Sequence, residues 1–315
     1  MATLPTYACI EKAHERIKTF VHRTPVLTCQ TLNELTGAEL YFKCENFQKV
    51  GAFKFRGATN AVLQLSEEDA RKGVTTHSSG NHAQALSLAA KQRGIPAYIV
   101  MPQTAPRVKV EAVKGYGAEV TFCEPTLQAR EEMLREVQER TGATFIHPYN
   151  TNPVICGQGT AAKELIEQQQ HLDVVMAPVG GGGLLSGTAL VAKKLLPDAL
   201  VWAAEPKGAD DAYRSFHEKA LIPSLQPETI ADGLLTSLGS ITFQIIREQV
   251  DDILLAKEPT IVKAMQLLWE RMKIIVEPSG AVPLASILDS PYRFKGKKVG
   301  IIISGGNVDL TKLPF

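Results

Sequence analysis

The residues with the clearest chemical potential lie in segment 51–57, which reads Gly-Ala-Phe-Lys-Phe-Arg-Gly. Lys54 stands there between Phe53 and Phe55 and is followed by Arg56. We expect the aromatic neighbours to desolvate the amine and the adjacent cation to repel its charge, and both effects lower the pKa of a lysine. Such an amine is a nucleophile suited to holding a carbonyl compound as a Schiff base. The alternative is an ordinary amphipathic lysine whose stem covers apolar surface while its head stays in water.

Four consecutive glycines, residues 180–183, follow a predicted strand and precede a predicted helix. Their N–H groups and the partial positive charge of the helix N-terminus favour a bound phosphate. The run has neither the Gly-Lys-Ser/Thr of a P-loop nor the spacing of a dinucleotide loop. The alternative is a tight turn that needs glycine for its backbone alone.

A polar loop, residues 76–82, reads Thr-His-Ser-Ser-Gly-Asn-His and lies between a predicted strand and a predicted helix. Backbone N–H groups at such a helix start can bind a carboxylate, while Ser79 could reach the neighbouring atom. A simpler explanation is a helix cap, which Ser79 or Asn81 could supply alone.

Two further strand ends carry polar groups. Ser304 follows the last predicted strand, where its hydroxyl could bond a heterocyclic nitrogen, although a glycine turn with a cap explains it equally well. Glu205 ends another predicted strand and is followed by Asp210 and Asp211. Carboxylates and carbonyls at this spacing suit a hard cation such as Mg²⁺ or Ca²⁺, but they also suit a solvated acidic loop.

These motifs need a scaffold that brings them together. Apolar, β-branched runs alternate with helical patterns, which predicts parallel β-α-β units in an α/β fold. The predicted strands are 96–101, 118–122, 173–178, 199–204 and 298–303. We expect a small mobile domain, residues 74–147, inserted into a larger domain, residues 1–73 and 148–315, with the site in the cleft between them.

The bulk properties describe an ordinary soluble enzyme. The 315 residues carry a net charge of +1, so no nucleic-acid partner and no membrane surface is expected. Residues 1–5 lack the pattern of a secretory signal. The five cysteines are scattered and never form a C-x-x-C pair, which argues against a disulfide framework or zinc site and favours a cytoplasmic location.

The motifs occur in the order and combination of a known family. Phe-Lys-x-Arg-Gly, Ser-Ser-Gly-Asn-His, the tetraglycine loop and the final Ser-Gly-Gly-Asn make nearly the whole chain similar to the tryptophan-synthase-β-like pyridoxal-phosphate enzymes of fold type II. Within them it resembles the serine and threonine dehydratase group, and most of all its eukaryotic serine racemases. The resemblance implies two open, twisted α/β domains with the active site in the cleft, a homodimer, and a small amino acid as substrate. It also implies interconversion of L- and D-serine together with elimination of water from serine, which gives pyruvate and ammonia.

The same resemblance implies a role for each motif. Lys54 would hold pyridoxal phosphate and act as base on one face of the substrate Cα, with Ser79 as acid/base on the other face. Asn81 would contact the ring hydroxyl and Ser304 the pyridine nitrogen. The phosphate would be held by Gly180, Gly181, Gly182, Gly183 and Leu184.

The substrate, a cation and a nucleotide would have their own residues in this family. The substrate carboxylate would be bound by Ser78, Ser79, Asn81 and His82, with Arg130 and Thr236 as closing-loop candidates. A divalent cation (Mg²⁺, or Ca²⁺ or Mn²⁺) would be held by Glu205, the carbonyl of Ala209, and Asp211. ATP, as an allosteric activator at a subunit interface, would meet Lys49, Gln84, Tyr116, Lys273 and Asn307.

Some residues depart from the pattern. Ala52 and Ala83 replace a common serine and glycine, as in fungal relatives similar to 3-hydroxyaspartate dehydratases. Cys29 and Gln30 replace paired serines of the nucleotide site. The alternative functions are therefore an L-threonine or threo-3-hydroxyaspartate dehydratase, with Arg130 for the second carboxylate, and a non-catalytic sensor that kept the fold.

Overall fold

The structure, a computed structural model, describes residues 4–315, so the first three residues of the segment that lacks a signal pattern lie outside it. The strands are β1 Val26–Leu27, β2 Glu39–Cys44, β3 Val74–His77, β4 Ala97–Pro102, β5 Glu119–Cys123, β6 Thr144–Phe145, β7 Val174–Pro178, β8 Leu200–Pro206, β9 Asp252–Ala256 and β10 Lys298–Ile303. The helices are α1 Tyr7–Ile17, α2 Gln30–Thr36, α3 Lys54–Leu63, α4 Glu67–Lys72, α5 Asn81–Arg93, α6 Arg107–Gly115, α7 Leu127–Thr141, α8 Asn152–Gln168, α9 Gly183–Leu195, α10 Asp211–Glu218, α11 Ser240–Gln249, α12 Glu258–Leu267 and α13 Pro278–Asp289. Within residues 4–315, no helix combines the length and apolarity needed to cross a membrane.

The strands form two sheets. The larger sheet has the order β1-β2-β10-β7-β8-β9, and all its pairs are parallel except β1 with β2. The smaller sheet has the order β5-β4-β3-β6 and is parallel throughout. The α/β fold with parallel β-α-β units is confirmed, and the antiparallel β1 is an addition that the sequence pattern did not predict.

The larger sheet is buried on both faces, as parallel sheets are. Along β7, Met176 belongs to a core with helices α12 and α13, while Val175 and Ala177 face a second core with α1, α8 and α9. This alternation follows from the two-residue period of a strand. The predicted strands appear as β4, β5, β7, β8 and β10, and the strand predicted before the polar loop, residues 73–75, appears as β3, whereas β2, β6 and β9 were not predicted.

The smaller sheet has its own core, and α3 contributes to it. Phe55 and Val62 of α3 pack in one apolar cluster with Val74 of β3 and Ile99 of β4. The helix that begins with Lys54 is therefore supported from the side of the smaller sheet. The division into a mobile domain 74–147 and a larger domain 1–73 with 148–315 stays a prediction.

A fully buried ion network joins α3, α8 and β2. The Arg56 guanidinium bonds Glu45 Oε2 at 2.7 Å and Glu164 Oε1 at 2.7 Å. Lys43 Nζ lies 2.7 Å from Glu164 Oε2 and donates to the Thr24 carbonyl at 2.7 Å. Two cations and two carboxylates thus balance one another away from water, which is the condition under which buried charge is tolerated.

The Glu164→Gln variant is expected to lose about 3–5 kcal/mol of unfolding free energy, because one carboxylate is then left for two buried cations. Urea denaturation measures the loss. The matched control is Glu167→Gln on the same helix, a partly exposed carboxylate whose partners are the exposed Arg23 and the partly buried Lys163. That change should alter the free energy of unfolding by less than about 1 kcal/mol. Equal losses in the two variants would contradict the role given to the buried network.

Candidate active site

Lys54 is the first residue of α3 and lies against the end of β10. The backbone bridge between Ala52 and Gly305 and the hydrogen bond from Phe53 N to the Ser304 carbonyl, 3.0 Å, fix this junction. Lys54 Nζ donates to the Pro148 carbonyl at 2.9 Å. Desolvation lowers the pKa of Lys54 to about 8, although the charge of Glu277 acts in the opposite direction. The amine is thus easier to deprotonate than an ordinary lysine.

The cause predicted for this shift is only partly right. Arg56 does not lower the pKa of Lys54, because its guanidinium is turned into the buried network and neutralised there by Glu45 and Glu164. The two aromatic neighbours also differ: the Phe53 ring centre lies 5.2 Å from Lys54 Nζ, whereas Phe55 is in the core of the smaller sheet. Burial in the cleft, rather than the local sequence, makes the amine unusual.

The polar loop after β3 does not act as a side-chain cap. The residue before α5 is Gly80, and no side chain caps this helix start. The Ser78 hydroxyl accepts from Gly80 N at 3.3 Å. Since the first N–H groups of a helix have no intrahelical acceptor, the start of α5 is available to a negatively charged ligand. Ser79 lies in this loop, half-buried, and its position opposite Lys54 stays a prediction.

Asn81 belongs to a hydrogen-bonded layer beside Lys54 that the sequence did not reveal. Its Nδ2 donates to both Glu277 oxygens, at 3.0 and 3.1 Å, and its Oδ1 accepts from Asn307 Nδ2 at 2.8 Å. Asn307 also donates to the Val50 carbonyl at 2.7 Å. The Asn81 amide is therefore held in one orientation by groups from the other end of the chain.

Glu277 belongs to the candidate site, and the sequence did not reveal it. It is buried at the start of α13, and burial raises its pKa to about 7 while the bond from Asn81 lowers it. Its charge acts directly on Lys54. The only signal in the sequence was a glutamate before a proline at a helix start, which is too common to indicate a site.

His82 is buried as a neutral imidazole. Desolvation is the main reason that the pKa of His82 is lowered to about 3, and the charge of Lys54 adds to this effect. Nε2 of the ring lies 3.0 Å from the Ile146 carbonyl. A neutral ring that donates to this carbonyl offers only a lone pair at Nδ1, which has no partner among residues 4–315. What His82 can give to a carboxylate is its backbone N–H.

The tetraglycine loop connects β7 to α9 and is buried. A Cβ on Gly181 would come within 2.3 Å of the Tyr149 ring, and Gly182 has φ +86°. The Thr242 hydroxyl donates to the Gly181 carbonyl at 2.8 Å. Tight packing thus explains why glycine is needed here, so the glycines alone do not establish phosphate binding. The unpaired N–H groups at the start of α9 are the feature suited to a phosphate.

Ser304 lies directly after β10. Its hydroxyl is buried and has no hydrogen-bond partner within the described part of the chain. A buried polar atom without a partner is unusual and points to a group that completes it. The Ser304 carbonyl bonds the residue before Lys54, so this hydroxyl and the amine belong to one junction.

The closing-loop candidates lie near the loops just described. The Thr236 hydroxyl is in hydrogen-bonding contact with Tyr149, whose ring packs on the tetraglycine loop. Arg130 is half-buried on α7, donates to the Thr126 carbonyl at 3.3 Å, and acts electrostatically on His77 at the end of β3. It is therefore a cation within electrostatic range of the polar loop.

The acidic pair of Glu205, near the end of β8, and Asp211, the first residue of α10, is buried rather than solvated. Glu205 accepts from Ala212 N at 2.9 Å and from Tyr213 N at 2.7 Å, and burial raises its pKa to about 9. Asp211 is also buried, and Ser224 lies near its carboxylate. Neither carboxylate oxygen of Asp211 accepts a hydrogen bond from a group within residues 4–315. The same range contains no group of three or more His, Cys, Asp or Glu side chains placed to hold a metal. Two carboxylates, a carbonyl and solvent oxygens remain a donor set that fits a hard cation.

A cavity of about 520 Å³ lies beside the hydrogen-bonded layer of Asn81. Of the five residues predicted for a nucleotide, Gln84 and Asn307 line it. The other three do not line it: Lys49 Nζ lies 5.7 Å from the Phe55 ring centre, and Tyr116 and Lys273 lie elsewhere. Lys109 and Asp232, 2.8 Å apart, form an ion pair in its wall.

The chain is similar to known proteins over nearly its whole length. The profile of a family described as "Pyridoxal-phosphate dependent enzyme" matches residues 17–305. The chain is 55% identical to a beta-hydroxyaspartate dehydratase of Paracoccus denitrificans, covering 99% of each chain, and 55% identical to a serine racemase of Dictyostelium discoideum, covering 99% of this chain and 98% of the other. The structure of maize serine racemase superposes with a TM-score of 0.96 at 47% identity, over 98% of this chain and 95% of that one.

Proposed function

The chain belongs to the pyridoxal-phosphate dependent enzymes, and from this premise we propose that it interconverts L- and D-serine and also eliminates water from serine to give pyruvate and ammonia. The observation that carries the proposal is the Lys54 amine, with a pKa lowered to about 8, in a cleft beside the uncapped start of α5. Similarity to serine racemases over almost the whole chain supports it.

The residues present fit pyridoxal phosphate. The Ser304 hydroxyl is buried and has no partner within residues 4–315, which suits a hydrogen bond to the ring nitrogen. The Asn81 amide is held in a fixed orientation, which suits a contact with the ring hydroxyl. The loop 180–183 with Leu184 offers the helix start that a phosphate needs, and Lys54 offers a nucleophile for the aldehyde. When bound, the cofactor supplies an electron sink that eases loss of the substrate α-proton.

The proton transfers belong to the protein. Lys54 takes the α-proton on one face, and Ser79 returns a proton from the other face, so the configuration inverts. Ser78 and the N–H groups at the start of α5 bind the substrate carboxylate. Because a neutral Ser304 hydroxyl leaves the ring nitrogen unprotonated, the reaction depends more strongly on these two groups.

A dehydratase of threo-3-hydroxyaspartate is the second candidate, favoured by the 55% identity to the Paracoccus protein. Arg130, within electrostatic range of the polar loop, is the cation for the second carboxylate of that substrate. Comparing kcat/KM for L-serine, D-serine, L-threonine and threo-3-hydroxyaspartate decides between the two. We expect the serines to be preferred, with Arg130→Ala changing their turnover little. A kcat/KM for 3-hydroxyaspartate that is 100-fold higher than for serine (~3 kcal/mol of discrimination), and that Arg130→Ala lowers to the serine value, would replace the serine proposal.

We propose that Glu205, the Ala209 carbonyl and Asp211 hold a divalent cation, Mg²⁺ first among them. Chelation is then expected to lower the thermal midpoint of the holoenzyme, and added Mg²⁺ should restore it, because a cation that binds only the folded site stabilises the fold. The Asp211→Asn variant should lose this response. The control Asp210→Asn, whose side chain is paired with Arg214 at the surface, should keep it. A thermal midpoint that does not change when the cation is chelated would refute the proposed metal site.

We further propose that the chain is a cytoplasmic homodimer and that ATP binds near Gln84 and Asn307. The five cysteines are all free, which suits a reducing compartment. Light scattering measures the oligomeric state of the protein, and titration with ATP measures its affinity for the nucleotide. An unchanged affinity in Gln84→Ala would remove this residue from the nucleotide site.

A further inference from the structure

Two cysteines outside the proposed active site are in contact with each other. Cys9 lies in the first turn of α1, and Cys156 lies in the second turn of α8. Each of the two side chains acts on the pKa of the other, and Cys9 packs against the apolar cluster that contains Cys156. The two cysteines come from distant parts of the sequence, so their meeting is a product of the fold.

The helices that carry the pair are packed without free space. A Cβ on Gly159, three residues after Cys156, would lie 2.8 Å from Cδ1 of Ile10, the residue after Cys9. A side chain could not fit between α1 and α8 at this point. The two helices are therefore closely packed beside the cysteines, and a disulfide needs such proximity.

The two thiols differ in the way that a redox pair requires. Cys9 Sγ accepts from Thr6 N at 3.2 Å, donates to the Thr6 carbonyl at 2.9 Å and is partly exposed, and its interaction with Cys156 is the main reason that its pKa is lowered to about 6. Cys156 is buried, and its interaction with Cys9 raises its pKa. Cys9 is thus the accessible thiol that loses its proton more easily, and Cys156 is the buried thiol behind it.

We propose that Cys9 and Cys156 form a reversible intramolecular disulfide when the protein meets a peroxide. The Cys9 thiolate attacks one peroxide oxygen, the O–O bond breaks, and Cys9 becomes a sulfenic acid. The Cys156 sulfur then attacks the Cys9 sulfur, and the hydroxyl leaves with the Cys156 proton as water. In sum two thiols are oxidised to one disulfide, and one peroxide is reduced to two waters. The bond closes a loop of nearly half the chain, which stabilises the fold against unfolding.

The test is non-reducing peptide mapping of the holoenzyme after treatment with hydrogen peroxide. We expect a mass lower by two hydrogens, a crosslinked peptide pair containing Cys9 and Cys156, a raised thermal midpoint, and reversal of all three by dithiothreitol. Cys9→Ser and Cys156→Ala should each abolish the crosslink and the rise in midpoint. Cys29→Ser is the matched control, since Cys29 is the other partly exposed cysteine, and it should change neither result.

Two outcomes would overturn the proposal. One is oxidation of Cys9 to sulfinic acid while Cys156 stays a free thiol. The other is a Cys9 that reacts no faster than Cys29. Both are read from the wild-type protein, so the result does not depend on how well the variants fold.

Discussion

The Lys54→Ala variant is expected to lose racemisation and elimination of serine together, each by about 10⁴-fold, the upper range for removal of a general base. The amine is the proposed attachment point of the cofactor and the proposed base, so both products depend on it. The fold should persist, because within residues 4–315 the amine makes a single hydrogen bond, from Nζ to the Pro148 carbonyl. Steady-state assays of D-serine and pyruvate measure the two losses.

A second readout separates the chemical role of Lys54 from a structural one. Borohydride reduction of the wild-type holoenzyme should leave the pyridoxal-phosphate mass on the peptide that contains Lys54. The matched control is Lys91→Ala, an exposed lysine on α5, which should keep activity and labelling. Cofactor mass on another lysine, or substantial turnover by Lys54→Ala, would contradict the assignment.

The Ser79→Ala variant is expected to lose racemisation by about 10²–10⁴-fold while elimination from L-serine falls much less. Racemisation needs a proton returned from the face opposite Lys54, whereas elimination from L-serine needs proton removal on one face only. The measured quantity is the ratio of D-serine to pyruvate formed from L-serine, which should drop by the loss in racemisation divided by the smaller loss in elimination.

Ser78→Ala provides the comparison for this ratio. Ser78 is the neighbouring residue of the same loop and is proposed to bind the substrate carboxylate, which both reactions share. Its loss should raise KM for both and leave the product ratio unchanged. A ratio that stays constant in Ser79→Ala would remove Ser79 from the proton transfer.

The sequence predicted the fold class well because period-two apolar runs and glycine stops are local signals. Strand β10 was predicted at 298–303 and is found there, but its place between β2 and β7 depends on contacts that no local pattern encodes. The antiparallel β1, only two residues long, was below what periodicity can detect.

The candidate site likewise combines features that the sequence predicted with features that it did not. The lowered pKa of Lys54 and its desolvation were expected, but the predicted repulsion by Arg56 was wrong because Arg56 finds its partner Glu164 across 108 positions of sequence. Glu277, which bonds Asn81 across 196 positions, was missed altogether. Residue types in a motif indicate which chemistry is available, whereas the pairing of buried charges is decided by tertiary contacts.

The proposed racemase is tested most directly by incubating the holoenzyme with L-serine alone in heavy water, followed by chiral analysis of serine and detection of pyruvate in the same sample. We predict that D-serine carrying deuterium at Cα and pyruvate both accumulate, because one group removes the α-proton and the opposite group returns a solvent-derived one. Formation of pyruvate without D-serine would reduce the protein to a dehydratase, and the absence of both products would contradict the account of Lys54 and Ser79 as an acid–base pair acting on serine.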